Sequence, residues 1–110
     1  MIDKTLARIE AALKTLRTPN ARAKADLLAQ ISKLKAEVAK LSAAHAEHAQ
    51  SIAGFTEVAT HEATRTRRSQ QLLDVSLAGL AASAKEFETS HPRLREAVNE
   101  ICRLLAGIGI

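Results

Sequence analysis

LLAQISKLKAEVAKL, residues 27–41, decides the fold. Leu27, Ile31, Leu34, Val38 and Leu41 recur three and four residues apart, and Lys33, Lys35, Glu37 and Lys40 fall between them. At 3.6 residues per turn this spacing gathers the apolar side chains into one stripe and turns the charges to water. Such a stripe needs a second helix to cover it. Three further stripes flank the first. Ile2, Leu6, Ile9, Leu13 and Leu16 precede it, Leu73, Leu77, Leu80, Ala84 and Phe87 follow, and Leu94, Val98, Ile101, Leu105 and Ile108 close the chain. The expected class is all-α: antiparallel helical hairpins forming a four-helix bundle or a coiled coil with one long helix, in an oligomer.

Proline and glycine punctuate this pattern. A first helix is expected over residues 2–17, stopped by Thr18-Pro19, with Thr18 able to cap the next helix and Pro19 suited to its first turn. The stripe of the second helix continues past Leu41 in the same phase as His45, His48, Ile52, Phe55 and Ala59. The spacing therefore predicts a single helix over 19–60, about 60 Å long, with Gly54 as its bend and a break before Ser69. A third helix is expected over 69–88. Thr89-Ser90-His91-Pro92 is a second stop-and-start signal, and a fourth helix covers 92–106, ended by Gly107 and Gly109. One domain over 1–110 is the natural reading of this length.

Composition narrows the function. Of 110 residues two are Phe and none is Trp or Tyr, so the core is Leu, Ile, Val and Ala. Each Ala buries little area, and oligomerisation is the usual remedy for a thin core. The net charge is +4, with nine Lys/Arg against four Asp/Glu in residues 1–41 and only Glu47, Glu57 and Glu62 in 42–64. One cysteine, Cys102, excludes an intramolecular disulfide and fits a reducing compartment. MIDKTLARIE does not read as a signal peptide, and no stretch approaches the roughly 20 apolar residues of a membrane span. A cytoplasmic location follows.

Few constellations carry chemistry. His45 and His48 lie three apart on the long stripe with His61 beyond, and a His pair at that spacing can share a metal. No HExxH or paired ExxH accompanies them, so imidazoles filling a seam are favoured over a metal site, and no cofactor is expected. Gly54, Gly79, Gly107 and Gly109 fit no phosphate-binding spacing, and Cys102 has no partner motif. TRTRRSQQ places Arg65, Arg67 and Arg68 together as a possible polyanion contact, but without aromatic residues for stacking on bases.

KEFETSHPRLREAVNEICRLLAGIGI resembles the C-terminal signature of a family of small bacterial helical proteins of unknown function. The matching positions are Phe87, Glu88, His91, Pro92, Leu94, Ile101, Leu105, Gly109 and Ile110. The resemblance implies a helical bundle in a bacterial protein and supplies no substrate or cofactor. Residues 42–68 read as an extension to that pattern.

The expected function is a non-enzymatic helical interaction or scaffold protein forming a homo-oligomer, with an unidentified protein as a possible further partner. The first helix is half as long as the second, so the uncovered stripe predicts an interface of Leu34, Val38, Leu41, His45, His48, Ile52 and Phe55. The alternative is a basic helical module binding nucleic acid or another polyanion through Arg65, Arg67 and Arg68.

Overall fold

A computed structural model describes residues 2–17 and 20–108. Among them α1 spans Ile2–Thr15, α2 Ala21–Ala39, α3 Ala43–Thr64, α4 Gln70–Ala84 and α5 Pro92–Ile108, with a 3₁₀ turn at Lys85–Phe87 and no strand. Thr18, Pro19, Gly109 and Ile110 lie outside the described residues, and so do the cap and turn expected at the first two and the signature positions at the last two. The cap seen on α2 is Asn20, whose Oδ1 accepts from the Ala23 amide at 3.0 Å.

The single helix expected over 19–60 is two helices. The chain turns at Lys40–Ser42, where the Lys40 and Leu41 amides donate to Glu37 and Val38, and Ser42 Oγ caps α3 by accepting from the His45 amide at 3.4 Å. A serine whose hydroxyl can serve an orphan amide offers the chain an alternative to continuing the helix. The longest dimension of the molecule is 38 Å, which leaves no room for a 60 Å rod. The helix is unbroken at Gly54: α3 runs on to Thr64, and the break falls at residues 65–69, where Ser69 Oγ caps α4 through the Leu72 amide.

The turn also resets the register. α2 buries Leu27, Ile31, Leu34 and Val38, as its spacing requires. α3 buries Ala49, Ile52, Ala53, Thr56, Ala59, Thr60, Glu62 and Ala63: Ile52 and Ala59 of the expected stripe are among them, but Ala49 and Thr56 are buried in place of His48 and Phe55. Thr56 is fully buried, whereas Phe55 beside it is 39% exposed. The polar atoms of the threonines are already satisfied, because Thr56, Thr60 and Thr64 hydroxyls donate to the Ile52, Thr56 and Thr60 carbonyls at 2.7 Å. What remains of each threonine is a small apolar surface, and with the alanines it lets neighbouring helices approach closely.

Those neighbours are α4, packed along α3, and α1, which lies against both α3 and α2. α2 pairs with α5, and α5 returns against α4, so the order α1–α2–α5–α4–α3 closes on itself around one core. Ion pairs fix the position of α1: Arg8 to Glu57 on α3 at 3.1 Å and Glu10 to Lys35 on α2 at 2.9 Å. Cations from neighbouring segments cap three helix ends. Lys24 donates to the Lys14 and Leu16 carbonyls, Arg95 to Ala81 and Arg68 to Ala106. No helix is long and apolar enough to cross a membrane among the described residues.

Candidate functional site

Closure of the bundle by its own helices changes the standing of the expected interface. Leu34, Val38 and Ile52 are buried inside the chain, and Leu41 is partly buried against the same core. α4 and α1 cover the stripe that was expected to need a second copy. Of the seven residues, only His45 and Phe55 are exposed, with His48 intermediate.

His45 and His48 come to one corner of the molecule, and His61 does not join them. They project from the first turns of α3 onto Phe87, whose ring centroid lies 5.9 Å from that of His45 and 5.5 Å from that of His48. The third imidazole is His91, 5.7 Å from Phe87 and edge-on to His45 at 5.4 Å. The 3₁₀ turn lowers Phe87 into the core, and the His91 amide donates to the Phe87 carbonyl at 2.8 Å. Four-residue spacing within Phe-Glu-x-x-His-Pro is the signal that places His91 beside Phe87. His48 Nε2 meets Glu86 at 3.1 Å, and His91 Nδ1 meets Ser90 Oγ at 3.0 Å. A shallow recess of about 230 Å³ lies between Ala44, His45, His48, Glu86, Phe87 and Ser90. Among the described residues no group of three or more His, Cys, Asp or Glu side chains is disposed to hold a metal ion. The imidazoles instead pack by their edges on a buried ring, which suits a structural joint between α3 and the start of α5. His91 caps α5 through its backbone, its carbonyl accepting from the Leu94 and Arg95 amides.

The arginine cluster disperses. Arg65 Nη1 pairs with Glu62 at 2.9 Å, and Arg68 Nη2 donates to the Ala106 carbonyl at 3.1 Å. Arg67 is exposed. Two of the three guanidiniums are thus committed to the fold. A groove of about 440 Å³ between α2 and α5 mixes Lys33 and Arg93 with Glu37, Glu96 and Glu100, so it presents no single sign of charge. Hydrogen bonding to Arg103 holds the Glu100 carboxyl below its usual range. Burial pushes the Cys102 thiol up, disfavouring the thiolate a nucleophile needs.

A second surface shares only Phe55 with the expected interface. The exposed large hydrophobic side chains among the described residues are Phe55, Val58, Leu72 and Val75, and all four lie on the paired helices α3 and α4. Ser51, Phe55 and Val58 recur at helical spacing on one, and Leu72, Val75, Gly79 and Ala82 on the other. None of these seven carries a charge. Phe55 crosses to α4 and rests on Gly79, which fixes how the two rows adjoin.

A family model described as a domain of unknown function, DUF4404, matches residues 27–110. The chain belongs to the DUF4404 family. The match runs through residues 42–68, so the segment read as an extension lies inside the DUF4404 domain, whereas α1 lies before it. No curated protein and no solved structure matches the chain.

Proposed function

We propose that this chain is a non-enzymatic helical interaction protein of the cytoplasm that works by associating with further copies of itself. The observation that carries the reading is that the exposed large hydrophobic side chains among the described residues, Phe55, Val58, Leu72 and Val75, all lie on the paired helices α3 and α4. A second copy is the occupant that this surface suits. The α3 row ends in Glu62, which Arg65 already pairs at 2.9 Å, so two such surfaces meet without an unpaired charge although the chain as a whole carries +4. Gly54, whose side is open, together with Ala78 and Ala82 lets a facing helix come close.

Area sets the strength. The 15 residues of α4 span about 22 Å, and two adjacent helices are about 20 Å across. Two such faces bury on the order of 900 Å² in total, the size of a weak, concentration-dependent association. Two of the three clustered arginines are engaged within the fold, which leaves a polyanion partner without an observation in its favour.

Sedimentation equilibrium between about 5 and 500 μM tests this reading, since weak interfaces of this size dissociate in the micromolar range. The expected result is a monomer–dimer equilibrium that Val75→Glu shifts to monomer. Val75 is 63% exposed, so the substitution leaves monomer stability within about 0.5 kcal/mol. A monomer throughout the range overturns the proposal.

A further inference from the structure

We infer that Gly79 is the positioning residue of this face: its missing side chain is the seat that lays the Phe55 ring flat as a preformed anchor for the second copy. The inference rests on the self-association proposed above and names the device that gives it specificity.

Gly79 sits in the middle of α4, flanked by Ala78 and Leu80, where glycine is a poor helix former. Its backbone does not ask for glycine, since no glycine among the described residues has a positive φ. Space does. A Cβ built on Gly79 would fall 2.6 Å from Cδ1 and 2.9 Å from Cζ of Phe55, and closer still to Cε1. The ring occupies the volume a methyl group would take. One side of Phe55 is therefore spent on the α4 backbone, and 39% of the residue stays open beside Val58, Leu72 and Val75. A rigid aromatic side chain held in its bound orientation before the partner arrives loses little rotamer freedom on binding, which is how interface anchors gain affinity. Gly54, on the same pair of helices, has open space where its Cβ would be, so the close approach is particular to Gly79.

A methyl group at position 79 must lift the ring, because the clash is with the swinging end of a side chain and not with backbone. Gly79→Ala should accordingly fold, with a melting temperature at or above that of the parent, and dimerise at least tenfold more weakly. Phe55→Ala should weaken dimerisation by a similar factor. The double variant Phe55→Ala/Gly79→Ala should match Phe55→Ala alone, because with no ring to displace the added methyl has nothing to act on. Sedimentation equilibrium of the four proteins reads the dissociation constants, and circular dichroism melts read the folds. Gly79→Ala dimerising like the parent overturns the seat and leaves self-association standing. Additive losses in the double variant overturn it as well. A parent that is monomeric throughout overturns both readings. If Gly79→Ala melted far below the parent, the double variant would decide: restored melting supports the clash with Phe55, and unrestored melting overturns it.

Discussion

α2 with α5, and α3 with α4, are two antiparallel pairs in one bundle, yet they meet water differently. α2 carries six charged side chains and α5 five, whereas α3 carries three and α4 one. In the first pair the charges alternate with small exposed residues such as Ala25, Ala29, Ser32 and Ala36, and the partition between core and solvent is sharp: Leu27, Ile31 and Leu34 are buried with Leu94, Val98, Ile101 and Leu105 where the two helices pack. The second pair carries fewer charges and mixes its polarity differently. Alanine and threonine with Ile52 line the inner face of α3, Leu73, Ser76, Leu80 and Ala84 that of α4, and Phe55, Val58, Leu72 and Val75 stand outside among polar residues such as Gln50, His61 and Gln71. A helix pair with the first composition is complete within its chain. The second leaves Phe55, Val58, Leu72 and Val75 exposed.

A charge in the core of the α2–α5 pair is the most damaging change. Leu34 is fully buried, and Leu34→Asp should cost several kcal/mol and unfold the protein in a thermal melt. Lys35→Asp next to it should keep the fold. It loses the 2.9 Å ion pair to Glu10 and sets two carboxylates together, a cost of about 1 kcal/mol by urea titration. Similar melting temperatures for the two variants would deny the seam.

In the small-residue pair the dangerous change is size, not charge. Ala59 is fully buried where α3 meets its neighbours, and Ala59→Leu should cost about 1–3 kcal/mol by forcing the helices apart. A stabilised Ala59→Leu would mean that α3 has slack to fill. The smallest effect concerns reactivity. Cys102 lies at the edge of the α5 stripe, within 3.9 Å of the Leu77 carbonyl. With its thiol pushed up by burial, alkylation at pH 7.5 should run at least tenfold slower in the folded chain than in urea. Equal rates would place the sulfur in water.

How far the sequence could be read follows the same division. In α2 and α5 the apolar spacing names the buried residues almost one for one, because large side chains on one face and charges on the other leave a single way to turn the helix. Ser69 and Pro92 mark their helix starts because capping and the fixed φ of proline act locally. α3 could not be read this way. Its buried face is built from alanine and threonine, which hydrophobic periodicity passes over, while Phe55, its largest apolar residue, points outward. Ser42 hid the turn for a related reason: a serine between Leu41 and Ala43 is unremarkable until its hydroxyl is seen to hold the His45 amide. His91 adjoins Phe87 through local spacing, but its edge-on contact with His45 needs α3 and the start of α5 to meet. The exposed face of α3 and α4 depends on both the register of α3 and its pairing with α4, and neither is a local property.

α1 lies outside the family match and inside the core. The DUF4404 match begins at residue 27, yet Leu6, Ile9 and Leu13 lie in the shared core. Lys24, also outside the match, holds the end of α1, and Glu57 within it holds Arg8. A chain trimmed to the matched segment would lose α1 and the start of α2 and bare Leu27, Ile31 and Leu34, which are buried in the whole chain. The stretch that the family model spans is thus shorter than the stretch that shares one core.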